Sequence, residues 1–475
     1  MTTDAIVVGA GPNGLAAAVT LARAGLRVTV LEAAPTIGGG TRSGELTVPG
    51  LLHDHCSAVH PLGPLSPFLR SLRLERYGLL WRRAEVELAH PLDSGAAPAL
   101  VRSAAETAVG LGTDGPAWQR LFAPLATDLE RLIQDVLRPV LGVPARPVAL
   151  ARFGSRALLP ATAVARRWRT EEARALWAGA AAHTLGPLDH PLTAAVGLLL
   201  TAAGHRTGWP AARGGSRAVT DALAALLADL GGTVETGVRV RSLAELPPVG
   251  TVLLDLSPRA VVDLAGDRLP PRVRRAYRDW RYGPAAFKVD LAVEGGVPWR
   301  NEVCRRAGTV HLGGTLEEVA AAERETGRGR MPERPFVLVA QQYLADPGRS
   351  AGDVRPVWAY AHVPHGYRGD ATEAVLAQFE RFAPGLRDRV VARFVRSPAD
   401  LEVYNPNCVG GDVIGGAGTA LQLALRRPRI TPDPYRTGIP GVFLCSAATP
   451  PGAGAHGMCG HLAARSALRE LGLPD

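Results

Sequence analysis

Lysine is almost absent from this chain of 475 residues, since Lys288 stands alone against 52 arginines. The five cysteines form no CxxC pair, which argues against a dithiol reductase, a zinc ribbon and a disulfide framework. No uninterrupted apolar run approaches the roughly 20 residues of a membrane-spanning helix, and Asp4 stands where a signal peptide would need apolar residues. These absences predict a cytoplasmic protein whose cysteines are core or loop thiols.

Motifs of several functional classes are also missing. The chain contains no Ser-His-Asp order, Walker loop or HExxH motif, so hydrolase and kinase activities have no support. Its histidines lack metal-ligand spacing backed by carboxylates, so we expect no metal site. No helix-turn-helix, zinc finger or aromatic RNA-binding motif accompanies the net charge of +9, so we expect no nucleic-acid partner.

Positive charge is concentrated in one segment. Residues 136–170 contain seven arginines and no acidic residue, interleaved with Leu, Val, Phe and Trp. A basic, apolar segment suits peripheral contact with an anionic membrane surface. A solvated helical face of a cap domain has the same composition, and both interpretations stay open.

The amino-terminal region has the pattern of a dinucleotide-binding βαβ unit. An apolar strand over residues 5–8 runs into a turn with Gly9, Gly11 and Gly14, then an alanine-rich helix and a strand ending at Glu32. The first glycine permits the tight turn, the second lets the backbone approach a pyrophosphate, and the third lets helix pack on strand. Glu32 is placed to accept hydrogen bonds from a ribose.

Periodicity along the rest of the chain predicts that this nucleotide-binding domain is interrupted. Helical patterns cover residues 118–136, 171–182 and 218–230. Residues 231–240 have the pattern of a turn followed by a strand, and strand patterns cover residues 251–256 and 441–449. The length and the 47% hydrophobic composition fit two domains. We predict an α/β fold with five segments: 1–65, 206–285 and 405–475 form the nucleotide-binding domain, and 66–205 and 286–404 form an inserted α+β substrate or cap domain.

A second glycine turn follows Glu32 and resembles that of a known superfamily. In the FAD-dependent amine oxidase and carotenoid desaturase superfamily, the acid is followed by a Gly-Gly pair and an arginine near the pyrophosphate. Gly39, Gly40, Thr41 and Arg42 resemble this arrangement. The resemblance implies FAD as cofactor, in a Rossmann-like FAD-binding domain that is discontinuous and similar to that of glutathione reductase.

The carboxy-terminal glycine turn resembles that of the phytoene dehydrogenase-like branch, whose Thr-x-Pro-Gly-Ala-Gly motif and following glycine are matched by residues 449–457. Free amides at such a helix start stabilise the negative charge of a reduced flavin. Amine oxidases usually carry aromatic residues around this loop, and here only Phe443 follows Tyr435, which favours dehydrogenation. The resemblance implies these further cofactor contacts: Val240 at the adenine, Ser257, Ser446, Gly454, Gly457 and Met458.

Four residues are candidates for moving a proton. Lys288 resembles the lysine that holds a water against flavin N5 in amine oxidases, and a buried amine can exchange a proton where arginine stays charged. His55 and His60 fall where the family chain passes beside the isoalloxazine, and His456 lies in the flavin loop. A structural role for each histidine and chance retention of the lysine stay open.

These observations predict a flavoprotein oxidoreductase that desaturates a largely apolar small molecule, such as an isoprenoid or polyene, by hydride transfer to flavin N5. A saturase or reductive cyclase would use the same fold in the opposite direction. An amine oxidase and a prenyl-binding escort protein without redox chemistry are further alternatives. The substrate, the electron acceptor and the oligomeric state are not determined by the sequence.

Overall fold

A computed structural model describes residues 3–424 and 427–474. Its strands, in chain order, are β1 (Ala5–Val8), β2 (Val28–Glu32), β3 (Ser43–Glu45), β4 (Leu52–Asp54), β5 (Trp81–Arg82), β6 (Val86–Ala89), β7 (Ala99–Leu100), β8 (Ala211–Ala212), β9 (Thr233–Thr236), β10 (Thr251–Leu254), β11 (Ala285–Glu294), β12 (Ala307–Leu312), β13 (Val337–Ala340), β14 (Val354–Val363), β15 (Val390–Arg396) and β16 (Val442–Leu444).

The helices follow the same chain order. They are α1 (Pro12–Arg23), α2 (Pro67–Ser71), α3 (Ala104–Val109), α4 (Gly115–Val136), α5 (Pro147–Ala157), α6 (Ala161–Ala165), α7 (Glu171–Ala182), α8 (Thr193–Arg206), α9 (Arg217–Asp229), α10 (Pro258–Ala265), α11 (Pro271–Arg278), α12 (Glu302–Arg306), α13 (Leu316–Gly327), α14 (Thr372–Phe382), α15 (Leu386–Arg389), α16 (Pro398–Tyr404), α17 (Ala420–Ala424) and α18 (Met458–Glu470).

The first sheet is the Rossmann-like part of this α/β fold, as the sequence predicts. It has five strands in the order β16-β10-β1-β2-β9, and every neighbouring pair is parallel. Short runs of Val, Ile and Leu suit strands that are buried on both faces, and β1 and β10 are buried along their whole length. The carboxyl ends of these strands lie at one edge, which is where ligands bind in such sheets.

The second sheet has seven strands in the order β15-β11-β14-β13-β12-β6-β7, with one parallel pair among antiparallel pairs. Side chains alternate between its faces, because successive residues of a strand point to opposite sides. In β11, Phe287, Val289 and Leu291 belong to an apolar core, whereas Lys288 and Asp290 occupy the other face. This sheet therefore presents a polar face inside the protein.

Helices α1 and α18 hold the two ends of the described chain together. An added Cβ on Gly460 of α18 would lie 1.8 Å from the carbonyl oxygen of Asn13 in α1, so only glycine permits this approach. Nine consecutive residues of α1, 14–22, are buried. The amino-terminal and carboxy-terminal glycine turns are thereby brought to one region of the molecule.

The predicted helices agree with the structure more closely than the predicted strands. The helix predicted over residues 171–182 is α7, and α4 and α9 each begin within three residues of their predicted starts. Within residues 231–240, the predicted turn is followed by β9 as expected, but the strand is wrong beyond β9, because Gly237 takes a positive φ of 75° that ends it. The strand predicted over residues 441–449 ends with β16, because the amide of Thr449 donates to the carbonyl of Ser446 in a turn.

The strands of the parallel sheet come from the three predicted nucleotide-binding segments, and β6, β7 and β12–β15 come from the two predicted cap segments. The five segment boundaries themselves stay a prediction. Among residues 3–424 and 427–474, no helix combines the length and the apolar composition needed to cross a bilayer.

Candidate cofactor and substrate cavity

A cavity of about 1390 Å³ lies between the two sheets. The glycine turn after β1 and the end of β2 form one part of its wall, together with the loop that precedes α18. Residues of α5, α8, β13 and β14 form the opposite part. Ligand pockets for one small molecule usually have volumes of roughly 300–1,000 Å³, so this cavity has room for two ligands.

The amino-terminal turn leaves amides free at the start of α1. The amide of Gly9 donates to Leu31, and that of Gly14 donates to Asp255. In the described part of the chain, the amides of Gly11 and Asn13 make no hydrogen bond, and both residues line the cavity. Helix starts with free amides favour anions, because the N–H groups and the helix dipole both point toward them.

Glu32 lies at the end of β2 and lines the cavity, as predicted for a ribose contact. Its two carboxylate oxygens accept hydrogen bonds from the amides of Ala10 and Ala34, each at 2.8 Å, and Arg42 lies 3.4 Å from one of them. A carboxylate has about four acceptor sites, so Glu32 keeps capacity for a ligand. The backbone bonds fix its position against the first turn.

Most of the predicted cofactor contacts line this cavity. They are Gly9, Gly11, Glu32, Gly39, Gly40, Thr41, Arg42, Val240, Ser257, Ser446 and Gly454. An added Cβ on Gly14 would lie 1.9 Å from the carbonyl oxygen of Gly9, which is the close helix–strand approach expected of this residue. Gly457 packs against Ala16 and Phe68, so it and Met458, which starts α18 behind it, lie off the wall rather than on it.

Asp255 is a cavity residue that the sequence prediction missed. It follows β10, and its Oδ2 accepts the hydrogen bond from the amide of Gly14 at 3.0 Å. Burial raises the pKa of Asp255 to about 7, and the nearby charge of Glu32 acts in the same direction. The position of Asp255, directly after a buried apolar strand, could have indicated it as a site residue, because the carboxyl ends of strands in a parallel sheet face the ligand site.

The charge of Asp255 makes a testable contribution to stability. Its pKa is about 7 in the folded protein against an ordinary value of 3.8, so between these pH values the folded state binds more protons than the unfolded state. The free energy of unfolding of the cofactor-free protein should therefore fall as pH rises through this window, by roughly 4 kcal/mol at most. Asp255→Asn should remove most of this fall, measured by urea unfolding at pH values across the window.

The matched control is Asp263→Asn, because Asp263 also lines the cavity but is exposed to solvent. This control should keep the wild-type dependence on pH. Equal pH slopes in wild type and Asp255→Asn would contradict a buried acid at this position.

Lys288 lies beside the large cavity, on the polar face of the second sheet. It lines a small neighbouring cavity of about 20 Å³ with Cys56, Trp358 and Tyr360, which also line the large one. Its ammonium group donates to Asp290, two residues along the same strand face. Burial lowers the pKa of Lys288, and the charge of Asp290 opposes this effect. The sequence predicts that the Lys288 amine holds a water at the flavin, and in the structure this amine is engaged by Asp290.

The three candidate histidines do not line either cavity. The Nδ1 atom of His55 accepts from Arg396 at 3.2 Å, and Nε2 of His60 lies 2.9 Å from the hydroxyl of Ser216. His456 accepts the amide of Met458 at 3.1 Å and so caps the start of α18. Burial lowers the pKa of each of these histidines to about 4. These contacts engage one nitrogen of each ring, and Nδ1 of His60 and Nε2 of His456 have no partner among the described residues. Proton transfer by any of the three histidines stays a prediction.

Aromatic side chains reach the cavity from the second sheet instead of from the carboxy-terminal loop. Trp358 and Tyr360 lie two residues apart on β14, and Thr309 lies on β12. His183, which directly follows α7, and Trp209 line the same region. The alternation of large and small residues along β14 was the sign of this face, because residues two apart in a strand share a side.

Three further wall residues were not identified from the sequence. The buried guanidinium of Arg427 lies beside Gly452 and donates to the carbonyl of Ala447, which puts a cation at the carboxy-terminal loop. The thiols of Cys56 and Cys408 hydrogen-bond each other, which lowers the pKa of Cys56 and raises that of Cys408. Both thiols line the cavity. The two cysteines are far apart in sequence, so no spacing motif indicates them.

The far end of the cavity is apolar and reaches the surface. Its lining includes these aliphatic and aromatic residues of α5, α8 and the loops beside them: Val140, Leu150, Phe153, Leu158, Leu192, Val196, Leu199 and Leu200. Asp135 is the acidic residue at this end, and the amides of Ala145 and Arg146 each donate to it at 2.7 Å. Val140 and Leu158 are 63% exposed, so this end lies at the protein surface.

Comparison with known proteins supports the fold. Residues 7–72 match the family described as NAD(P)-binding Rossmann-like domain. The chain is similar to the pyridine nucleotide-disulfide oxidoreductase domain-containing protein 2 of Mus musculus. The two are 25% identical over an alignment of 562 positions that covers 98% of this chain and 94% of the mouse protein.

Solved structures share this architecture over nearly the whole chain. A putrescine oxidase bound to putrescine superposes with a TM-score of 0.62 at 18% identity, with 99% of each chain covered. The cyclohexylamine oxidase of Brevibacterium oxydans gives a TM-score of 0.60 at 16% identity, with 99% of this chain and 100% of that chain covered. At these identities the likeness establishes the fold: a Rossmann-like α/β domain with a second domain.

Proposed function

We propose that this protein is an FAD-dependent oxidoreductase that dehydrogenates a largely apolar substrate, as the phytoene dehydrogenase-like branch does. The supporting observation is the cavity, whose one end carries the dinucleotide-type turn and Glu32 and whose other end is apolar. A cofactor and a hydrophobic substrate would share it. The oxidase folds found by comparison, and the oxidoreductase name of the mouse relative, are consistent with redox chemistry.

The residues present fit FAD. The free amides of Gly11 and Asn13 at the start of α1 suit a pyrophosphate, and Glu32 has acceptor sites left for a ribose hydroxyl. The glycine turn at Gly39 lies against the first turn, since an added Cβ there would be 3.1 Å from the Cα of Gly11. When bound, FAD supplies the hydride-accepting ring that the protein side chains lack.

The chain's own residues then set the conditions at the cofactor and the substrate. Asp255 is neutral below about pH 7 and so adds little repulsion to a pyrophosphate on the neighbouring turn. Arg427 places a buried positive charge beside the carboxy-terminal loop, where it would stabilise negative charge on a reduced ring. The aliphatic residues of α5 and α8 give the substrate end an apolar lining, which suits a hydrophobic substrate.

The visible spectrum of the purified protein tests the cofactor, and anaerobic mixing tests the reaction. We expect the purified protein to absorb as an oxidised flavin. Anaerobic mixing with an apolar compound that the protein dehydrogenates should reduce the flavin and so remove this absorbance. Absence of flavin after reconstitution would leave the prenyl-binding escort protein as the better interpretation. A saturase or reductive cyclase would instead transfer label from pre-reduced flavin to the substrate.

Amine oxidation is the second candidate, because Trp209, Trp358 and Tyr360 supply the aromatic wall that the carboxy-terminal loop lacks. The putrescine and cyclohexylamine oxidases among the structural neighbours add weight to it. One observation argues against it: Asp135, the acidic side chain described at the apolar end, already accepts hydrogen bonds from the amides of Ala145 and Arg146, so it is not free to pair with a substrate ammonium group. Peroxide release with primary amines of increasing chain length would identify this activity.

We also propose that the surface around the apolar end of the cavity contacts an anionic membrane. Six large apolar side chains are exposed here, between residues 140 and 159: Val140, Leu141, Val143, Val148, Leu158 and Leu159. The exposed guanidinium groups of Arg146 and Arg152 lie among them. Lipid would cover the apolar side chains, and anionic headgroups would pair with the arginines.

Vesicle sedimentation tests this surface. Wild-type protein should bind phosphatidylserine-containing vesicles and not pure phosphatidylcholine vesicles. Each arginine near an anionic surface contributes about 1 kcal/mol, so the double variant Arg146→Gln, Arg152→Gln should bind roughly thirtyfold more weakly. Val143→Ser should also weaken binding, whereas Val109→Ser should not, since Val143 and Val109 are 87% and 85% exposed but only the former belongs to this surface. Equal binding of the double variant would overturn the proposal.

A further inference from the structure

The cavity wall formed by the second sheet carries polar atoms without partners. Thr309 pairs with Ala340, and Ala340 pairs with Trp358, so Thr309 and Trp358 flank one alanine in a row across three strands. Both residues line the cavity, and they are only 3% and 7% exposed. Within residues 3–424 and 427–474, neither the Thr309 hydroxyl nor the Trp358 indole N–H has a hydrogen-bond partner. Buried polar groups are normally paired, so this row is suited to a ligand atom.

A histidine pair adds to this wall. Nε2 of His183 lies 3.1 Å from Nε2 of His311, so one ring donates a proton and the other accepts it. Burial lowers the pKa of His183 to about 3 and that of His311 far below its ordinary value, so both rings are neutral. His183 is partly exposed and lines the cavity. A neutral histidine offers a donor or an acceptor, according to its tautomer.

Charge is absent from this wall. The residues of the second sheet that line the large cavity are Thr309, Leu338, Ala340, Trp358 and Tyr360, and none of them is ionised. The charged groups that lie beside them on the same face pair with each other: Lys288 with Asp290, and His362 with Glu323 at 2.6 Å. A charged ligand group would lose its hydration here without gaining a counter-charge.

We propose that Thr309, Trp358 and His183 form a binding site for a neutral hydrogen-bonding group, a carbonyl or a hydroxyl, on an otherwise apolar substrate. This inference rests on the proposed function and specifies its substrate class. The indole N–H donates to the oxygen of that group, the Thr309 hydroxyl donates or accepts, and His183 adjusts its tautomer. The site thereby fixes which end of an apolar molecule lies against the second sheet and which part faces the cofactor.

The experiment compares four probes of equal chain length: octane, methyl hexyl ketone, octanol and octylamine. Flavin content of the wild type is measured first, and affinities for the flavin-loaded protein then come from calorimetry. Trp358→Phe and Thr309→Val should each reduce the affinity for ketone or alcohol, relative to octane, by about three- to tenfold. The affinity for octane should stay the same, because both substitutions keep the apolar surface.

Matched controls exist in the same chain. Trp168 and Thr201 also have buried polar atoms without partners among the described residues, and neither lines the cavity. Trp168→Phe and Thr201→Val should therefore leave all four affinities unchanged. If Trp358→Phe fails to fold, as its thermal midpoint would reveal, Thr309→Val and a His183→Phe variant give the same comparison.

The outcomes separate this inference from the proposed function. Flavin-free wild-type protein would overturn the proposed function, whereas flavin-loaded protein whose variants change all four affinities equally would overturn only the polar-group site. Failure of every probe to bind would also overturn it. A selective loss of octylamine affinity in the variants would replace it with an amine site.

Discussion

A methyl group added at Gly460 is expected to lower the free energy of unfolding by about 3 kcal/mol and to abolish flavin retention. Its carbon would lie 1.8 Å from the carbonyl oxygen of Asn13 and 2.9 Å from the amide nitrogen of Ala17, both backbone atoms of α1. Backbone cannot rotate away as a side chain can, so α1 and α18 must separate. Urea unfolding of Gly460→Ala and the flavin absorbance of the purified protein measure the two effects.

Gly154→Ala is the matched control for this substitution. Gly154 also lies within a helix, α5, and an added Cβ there would meet no atom within 4 Å. Alanine is favoured over glycine in a helix by up to about 1 kcal/mol, so this variant should be as stable as the wild type or more so. Normal stability and flavin content in Gly460→Ala would contradict the close contact between the two helices.

Arg349→Met is expected to destabilise the protein by about 3–5 kcal/mol, because it leaves the buried carboxylate of Asp54 without its cation. The Arg349 guanidinium is fully buried and lies 2.5 Å from Asp54, and it also donates to the carbonyl of Ala212 at 2.6 Å. Asp54 accepts from the amide of Ser216 as well. The pair thereby joins three distant parts of the chain. Chemical unfolding at neutral pH measures the loss.

Acid titration provides a second measurement of the same pair. Burial opposes ionisation of Asp54, but the charge of Arg349 and the hydrogen bonds from Ser216 and Ser43 outweigh it and hold the pKa below its ordinary value of 3.8. Such a carboxylate stabilises the fold above that value and loses this contribution as pH falls through its folded pKa. Arg349→Met should therefore lose less stability on acidification than the wild type does.

The exposed pair of Arg206 and Glu130 is the control, because both partners are about one-third or more exposed. Arg206→Met should change stability little, since solvent screens exposed pairs. Equal effects of Arg349→Met and Arg206→Met would contradict the buried pair.

The sequence predicted the nucleotide-binding part of the fold well because its determinants are local. Gly9, Gly11 and Glu32 lie within one βαβ unit, so their spacing alone indicates their positions. The cavity wall formed by the second sheet could not be predicted in the same way, because Thr309 and Trp358 come close to each other only through strand pairing. Register between strands distant in sequence depends on the whole sheet.

The candidate proton-transfer residues show the same limit. Lys288 was identified by type and rarity, but its partner Asp290 decides what it can do, and the two-residue spacing on β11 was visible in the sequence. The three candidate histidines belong to segments that pass close to the cavity. Their rings nevertheless form hydrogen bonds elsewhere: His55 with Arg396, His60 with Ser216, and His456 with the first amide of α18. Side-chain direction in loops has no periodicity from which to predict it.

The contact between α1 and α18 has a consequence for biosynthesis. Strand β10 lies between β1 and β16, and the second glycine turn of the cavity wall precedes α18, so the wall is incomplete until this last helix has been synthesised. Until then the growing chain lacks the carboxy-terminal part of the cavity wall, and the apolar face of α1 that packs against α18 is exposed to solvent. A ligand that contacts both glycine turns can therefore bind only after α18 has been synthesised, and the incomplete chain before that point exposes apolar surface of the kind that chaperones protect.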